Sequence, residues 1–119
     1  FVTREDLNLD ALARFERLLD DYLSEGVAAR EGLPSVRYFA DKICLSPNYF
    51  GDLVKKETGK SAQEYIQLKM IDAAKESLLD PDKTIGQVAG ELGFQYPQHF
   101  VRFFRRHAGC RPNQYRTRG

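Results

Sequence analysis

The side chains best suited to chemistry lie in residues 98–106, where arginines alternate with phenylalanines. A helical period places Phe100, Phe103 and Phe104 on one side, at the i, i+3, i+4 spacing of a buried stripe. The opposite side, near the start of the helix, carries Gln98, Val101 and Arg102. Glutamine can pair with adenine, arginine can form a bidentate pair with guanine, and valine can contact a thymine methyl group. We therefore interpret this face as one able to read base edges, with a solvated basic face on a core helix as the alternative.

Three further side chains of the same helix can meet a nucleic-acid backbone. Arg105 follows Arg102 by about one turn and can reach a phosphate, whereas His99 and Arg106 lie on the flank of the helix. His99 has a second interpretation as a solvated or capping histidine.

The formal charge of +1 conceals an uneven distribution along the chain. Residues 1–34 contain four arginines and eight acids, and residues 35–83 contain eight cations and eight acids. Residues 84–119 contain six arginines and one acid, so the excess positive charge lies in the final third. Such clustering is an electrostatic footprint for a polyanion, although it does not say which one.

Composition argues against several other classes of protein. The chain has 119 residues, 42% hydrophobic and 29% charged, which is ordinary for a small soluble globular protein. No apolar run approaches the ~20 residues that span a bilayer, and no signal-peptide pattern opens the chain. Cys44 and Cys110 form no CxxC pair and fit a reduced, cytoplasmic setting. His107 and Cys110 offer only two ligands, so we expect no metal site.

Catalytic motifs are absent from the sequence. It contains no Gly-rich phosphate loop, no nucleophile elbow, and no motif that pairs a histidine with a carboxylate. We therefore expect neither enzymatic activity nor a cofactor. The first residue is Phe1 rather than methionine, which indicates a fragment of something longer.

An internal repeat organises the chain. Five positions recur 49 residues later, where Val36, Phe39, Ala40, Ile43 and Leu45 match Ile85, Val88, Ala89, Leu92 and Phe94. Seven more recur 50 residues later, where Phe50, Leu53, Val54, Lys55, Lys56, Gly59 and Tyr65 match Phe100, Phe103, Phe104, Arg105, Arg106, Gly109 and Tyr115. The matches keep apolar, small, basic and glycine classes, and they predict a duplicated unit of about two helices.

The first unit, residues 35–60, has the sequence signals of a helix-turn-helix. Ser35 is a plausible N-cap for a short helix over residues 36–43. Ser46 and Pro47 then supply a cap and a first-turn proline for a second helix, which ends at Gly59.

The second unit, residues 84–117, repeats this plan with one exception. Thr84 and Gln87 form a capping-box pattern at its start, and Pro97 takes the place held by Pro47. Tyr96 stands where a cap is expected but lacks a short acceptor side chain.

A linker helix is predicted between the units, over residues 61–80. Ser61 and Glu64 form a capping box at its start, and Asp80 and Pro81 end it. About 18 helical residues give a rod of roughly 27 Å, which suits two units spaced near one turn of DNA, ~34 Å.

Residues 1–34 are predicted to form an acidic amphipathic helix that ends by Gly26, followed by a loop. We expect this segment to pack on the first unit, away from nucleic acid because its acids repel phosphate.

The first unit presents a weaker reading face than the second. Asn48, Gly51 and Asp52 occupy the reading positions, with Lys55 and Lys56 available to the backbone. Asn48 can read adenine, but Gly51 has no side chain and phosphate repels Asp52. Asp52 can alternatively pair with one of the two lysines. We therefore expect the second unit to contribute more electrostatic affinity.

Two stretches resemble the AraC/XylS family of bacterial transcription regulators. GFQYPQHFVRFFRRHAGCRPNQYR resembles the family signature at Gly93, Phe94, Pro97, Phe100, Arg102, Phe104, Arg105, Gly109, Pro112, Tyr115 and Arg116. LSPNYFGDLVKKETGKSAQEYI resembles the family's first recognition helix and its connection to the linker helix. Together they cover roughly residues 35–117.

This resemblance implies an all-α fold of about seven helices, in which a long linker helix joins two helix-turn-helix subdomains. Two recognition helices would enter successive major grooves of double-stranded DNA. The implied base contacts are Asn48, Gly51, Asp52, Gln98, Val101 and Arg102, and His99 would contact phosphate. Gly51 and Asp52 replace larger polar or basic residues often found there.

The resemblance also implies a cytoplasmic regulator of transcription, expected to activate it together with RNA polymerase. A sensing or dimerisation domain would precede this one. The alternative function is a helical module that binds an acidic protein or RNA.

Overall fold

The structure is a computed structural model that describes residues 2–118, and in this range it contains α-helices and no strand. The eight helices are α1 (Arg4–Ser24), α2 (Val27–Glu31), α3 (Val36–Lys42), α4 (Pro47–Thr58), α5 (Ala62–Leu78), α6 (Ile85–Glu91), α7 (Pro97–Ala108) and α8 (Pro112–Arg118). The all-α class predicted from the sequence is confirmed. None of these helices combines the length and the apolar character that crossing a membrane requires.

The helix count exceeds the expected seven, and the segment expected to be a loop after α1 contains α2. Gly26 ends the first helix by adopting a left-handed conformation, with φ at 77°. The chain then makes a single helical turn of five residues before Gly32 interrupts it. Ala28, the second residue of that turn, is fully buried, so tertiary packing stabilises a helix that is too short to be predicted from the sequence.

The two helix-turn-helix units have matched helix lengths. α3 and α6 are each seven residues long, and α4 and α7 are each twelve. α4 and α7 both begin with proline and both end at a left-handed glycine, Gly59 and Gly109. The predicted caps at Ser35, Ser46 and Thr84 are confirmed, since each side chain accepts a hydrogen bond from a backbone N–H of the first helical turn. 

The turn inside each unit contains one residue with positive φ. These residues are Cys44, with φ at 62°, and Gly93, with φ at 95°, and they occupy the same position of the repeat. In both units the next residue donates its N–H to the carbonyl of the buried alanine in the first helix, at 2.9 Å and 3.0 Å. The repeat thus extends to backbone conformation.

Two hydrophobic clusters form the core. In the first, Phe15 of α1 makes edge-to-face contacts with Phe39 and Phe50, at centroid distances of 5.3 Å and 4.9 Å. In the second, Phe100 and Phe104 of α7 are fully buried against α5 and α6.

The linker helix α5 belongs to both clusters. It contributes Ile66 and Met70 to the first and Ile71, Ala74 and Leu78 to the second. Its predicted capping box between Ser61 and Glu64 is confirmed. Because its two halves lie in different cores, α5 fixes one unit relative to the other.

The segment after α2 contacts the second unit at Gly93. A Cβ atom at this position would lie 2.5 Å from the carbonyl carbon of Gly32 and 2.8 Å from the amide nitrogen of Leu33. Tyr22 of α1 anchors the same segment, because its hydroxyl donates to the Gly32 carbonyl at 2.7 Å. The N-terminal region therefore packs on α3, α4 and α5 through α1 and on α6 through α2, and the segment that follows α2 contacts the turn at Gly93.

Arg116 of α8 binds backbone atoms rather than facing solvent. Its Nε donates to the Leu78 carbonyl at 2.8 Å, and a terminal nitrogen donates to the Lys83 carbonyl at 2.6 Å. These bonds satisfy a carbonyl at the end of α5 and one in the following loop. One of the six arginines in the basic final third is thus engaged in the fold.

Candidate nucleic-acid interface

The second helix of the second unit, α7, separates apolar from polar side chains. Phe100 and Phe104 have 0% exposure, whereas Gln98 and Arg102 are exposed to solvent. Val101 is half-buried at the edge of this exposed face. The stripe predicted from the sequence therefore faces the core, and the proposed reading positions face outward.

One member of the predicted stripe departs from expectation. Phe103 is half-buried, and its ring packs on Phe94 at 5.3 Å and on His107 at 4.6 Å. It lies between the two hydrophobic clusters and contacts both, so neither core encloses it fully.

The polar side chains of α7 are free of intramolecular partners in the described part of the chain. Gln98, Arg102 and Arg105 make no side-chain hydrogen bond there, and the one ion pair between residues 2 and 118 joins Lys83 to Glu91 at 3.1 Å. Free donors on an exposed helix face are available to an external acceptor. These side chains contribute little to the stability of the fold, because they stay solvated by water in the folded domain.

The flank of α7 carries the remaining predicted contacts. His99 and Arg106 are both exposed, and the His99 ring makes an edge contact with Tyr96 at 5.4 Å. As predicted, the Tyr96 side chain makes no hydrogen bond to the start of α7.

The corresponding helix of the first unit, α4, exposes Asn48, Asp52, Lys55 and Lys56, and Gly51 is half-exposed. Among the described residues, Asp52 forms no ion pair with Lys55 or Lys56. The alternative interpretation, in which Asp52 pairs with one of these lysines, is therefore wrong. A Cβ atom at Gly51 would meet nothing within 4 Å. The missing side chain therefore leaves a gap in the exposed face of α4 rather than serving close packing.

Two contacts near these faces were not predicted from the sequence. Tyr49, which follows Asn48, donates its hydroxyl to Oδ1 of Asn8 at 3.0 Å and so ties α4 to α1. Arg111 and Asn113 lie beside α7 at the start of α8. Both residues fall inside the repeat, between the matched pairs Gly59/Gly109 and Tyr65/Tyr115, so aligning the start of α8 with the start of α5 would have pointed to this pair.

Comparisons with known proteins agree with this geometry. A family profile described as a helix-turn-helix domain matches residues 39–118. The HTH-type transcriptional regulator YobQ of Bacillus subtilis is 39% identical over 71 residues, which cover 60% of this chain and 30% of YobQ. The HTH-type transcriptional activator RhaS of Escherichia fergusonii is 30% identical over 112 residues, which cover 93% of this chain and 38% of RhaS. The chain thus spans less than two fifths of either relative.

Solved structures share the fold. An AraC-type DNA-binding transcriptional regulator from Chromobacterium violaceum superposes with a TM-score of 0.75 at 21% identity, covering 92% of this chain and 91% of that one. The DNA-binding domain of the global transcriptional factor AdpA, solved in complex with a target DNA, superposes with a TM-score of 0.71 at 22% identity. That match covers 87% of this chain and 90% of the AdpA domain.

Proposed function

The chain belongs to the AraC-type family of helix-turn-helix DNA-binding domains, and from this we propose that it binds double-stranded DNA sequence-specifically and regulates transcription. The observation that carries the proposal is the exposed face of α7. Gln98, Arg102 and Arg105 have no partner among the described residues, and the buried phenylalanines opposite hold the helix in place.

We propose that α4 and α7 enter successive major grooves. The linker helix α5 has 17 residues, about 26 Å at 1.5 Å per residue, and the longest dimension of the domain is 52 Å. These dimensions accommodate two helices about one turn of DNA apart, ~34 Å.

Base contacts are assigned to the N-terminal halves of the two helices. On α7 these are Gln98, Val101 and Arg102. On α4 they are Asn48, Gly51 and Asp52, of which Gly51 can contribute only through its backbone. We expect α7 to supply most of the sequence preference, because its donors match guanine and adenine edges in the major groove.

Backbone contacts are assigned to the cations and the histidine around these positions, namely Lys55, Lys56, His99, Arg105 and Arg106. All five are exposed. Each phosphate neutralised by a lysine or arginine releases counterions, so these contacts set the salt dependence of binding.

The larger context is also a proposal. Residues 35–60 and 84–117 would act as two reading subdomains joined by residues 61–80, with residues 1–34 as a supporting segment. The matched residues cover only 30% of YobQ and 38% of RhaS, which supports a regulator with a separate sensing or dimerisation domain. We propose that the protein is cytoplasmic, has no enzymatic activity and activates transcription through RNA polymerase. The name of RhaS, a transcriptional activator, supports activation.

Selection of bound duplexes from a random pool tests this function directly. We expect enrichment of sites with two conserved segments about one helical turn apart. Affinity for the selected site should fall with salt at a log–log slope of about −0.9 per phosphate contacted. A variant that replaces Gln98 and Arg102 by alanine serves as the control and should enrich no conserved segment at the α7 half-site. Binding without any sequence preference, or tighter binding to single-stranded RNA than to the selected duplex in a parallel titration, would contradict the proposal.

A further inference from the structure

A groove beside α7 gathers three arginines without an acid. It has a volume of about 420 Å³ and lies between α7, the start of α6 and the start of α8. The polar side chains that line it belong to Gln98, Arg102, Arg105, Arg111 and Asn113. A cleft whose walls carry one sign of charge focuses the electrostatic field and attracts a counter-ion of opposite sign.

The three guanidinium groups have no anionic partner among residues 2–118. None of the arginine side chains of the groove takes part in a hydrogen bond or ion pair in residues 2–118. Like charges that converge without a counter-ion repel one another. An external anion would remove this repulsion, and the planar fork of arginine fits phosphate oxygens in a bidentate arrangement.

Arg111 occupies a position where the fold itself favours a different residue. Fifty residues earlier, at the same position of the repeat, stands Ser61. The Ser61 hydroxyl accepts a hydrogen bond from the Glu64 N–H at 3.1 Å and caps α5. Arginine cannot cap in this way, so only half of the motif persists in the second unit, where the Arg111 N–H donates to Gln114 Oε1 at 2.9 Å. The exposed guanidinium of Arg111 thus has no role in the packing that surrounds it.

We infer that this groove seats a backbone phosphate of the DNA, with Arg111 as a phosphate-binding residue. The inference rests on the proposed function, because α7 must lie in the major groove for the neighbouring strand to reach α8. Arg102 then reads a base, while Arg105 and Arg111 hold one phosphate from two sides. Asn113 can donate a further hydrogen bond from its amide. The first unit lacks an equivalent phosphate-binding arginine, because Ser61 stands at the position that Arg111 holds in the second unit.

The inference is tested by titrating parent and variant domains with a fluorescent duplex pool of random sequence over a range of salt concentrations. Arg111→Gln should make the log–log salt slope less negative by about 0.9. This change in slope corresponds to binding by Arg111→Gln that is about eightfold weaker than that of the parent at 0.1 M salt and nearly equal to it at 1 M. Arg118→Gln removes the same charge from α8 outside the groove and should leave the slope unchanged.

A second variant separates a DNA contact from a structural role. Arg111→Ser restores the capping residue of the first unit, so the midpoint of thermal unfolding should rise while DNA binding weakens as in Arg111→Gln. Weaker binding together with a lower midpoint would overturn the inference, since it would assign Arg111 to the fold. An unchanged salt slope in Arg111→Gln would also overturn it.

Phosphate ethylation interference on a selected site locates the contact. One phosphate beside the α7 half-site should interfere with binding of the parent domain and cease to do so in Arg111→Gln. If Arg111→Gln instead alters the preference at a single base pair, Arg111 reads a base and the phosphate seat is refuted. Failure of the parent domain to bind any duplex would refute the proposed function itself, and this inference with it.

Discussion

Replacement of Gly93 by alanine should destabilise the domain more than the same change at Gly109, which also has positive φ. Gly93 has φ at 95°, and an added Cβ would lie 2.5 Å from a backbone atom of Gly32. Left-handed backbone costs a non-glycine residue about 1 kcal/mol, and forced overpacking costs about 1–3 kcal/mol more. We therefore expect Gly93→Ala to lower the free energy of unfolding by about 2–4 kcal/mol.

Gly109→Ala is the matched control. Gly109 has φ at 80°, and an added Cβ there would meet nothing within 4 Å. Only the conformational term applies, so the cost should be about 1 kcal/mol. Cys44, which holds the equivalent turn of the first unit with φ at 62°, shows that this conformation alone does not require glycine.

Chemical denaturation of the parent and the two variants measures the difference. Gly93→Ala should unfold at a clearly lower denaturant concentration than Gly109→Ala, with a similar dependence on denaturant. In thermal unfolding the gap should be roughly 4 °C per kcal/mol for a domain of this size. Equal destabilisation by the two substitutions would refute the contact between the turn of the second unit and the segment after α2.

Four further predictions follow from single side chains. Arg102→Ala should weaken binding by about 1–3 kcal/mol and relax the preference at one base pair, and an equal loss on all sequences would show that it meets only the backbone. Asp52→Asn should tighten binding on every duplex titrated, whereas weaker binding to one site alone would show that Asp52 reads a base. Tyr96→Asp should raise the free energy of unfolding by about 1 kcal/mol, since aspartate can cap α7, and unchanged thermal unfolding would argue against this. Burial, followed by a hydrogen bond to Glu16, raises the pKa of Tyr65 from 10.0 to about 12, so the stability that this difference provides is present below pH 10 and is lost as the pH rises toward 12. Relative to Tyr65→Phe, the parent should lose stability over this interval in denaturation curves, and parallel pH profiles would count against the raised pKa.

Local signals accounted for most of the helices. An N-cap such as Ser46 and a helix-ending glycine such as Gly59 interact only with residues a few positions away, so both can be recognised in the sequence. The repeat in the sequence also predicts that α4 and α7 are equivalent helices. Exposure of Gln98 and Arg102 also followed from helical periodicity alone.

Contacts between distant segments could not be predicted in the same way. Arg116 was counted in the excess positive charge of the final third, yet it binds carbonyls of Leu78 and Lys83, more than thirty residues earlier. The approach of Gly32 to Gly93 depends on how α2 packs, and α2 itself is a single turn that tertiary contacts stabilise. Such features arise from the packing of whole helices, which no short pattern encodes.

Methylation interference at guanine N7 tests the central claim most directly, because this atom lies in the major groove that α4 and α7 are proposed to enter. On a selected duplex, we predict two interfering patches about 10 base pairs apart on one face of the DNA. Arg102→Ala should abolish the signal at one guanine of the α7 patch and leave the other patch intact. A single patch, or no interference at guanine N7 on a duplex that the domain binds, would contradict the account of two reading helices.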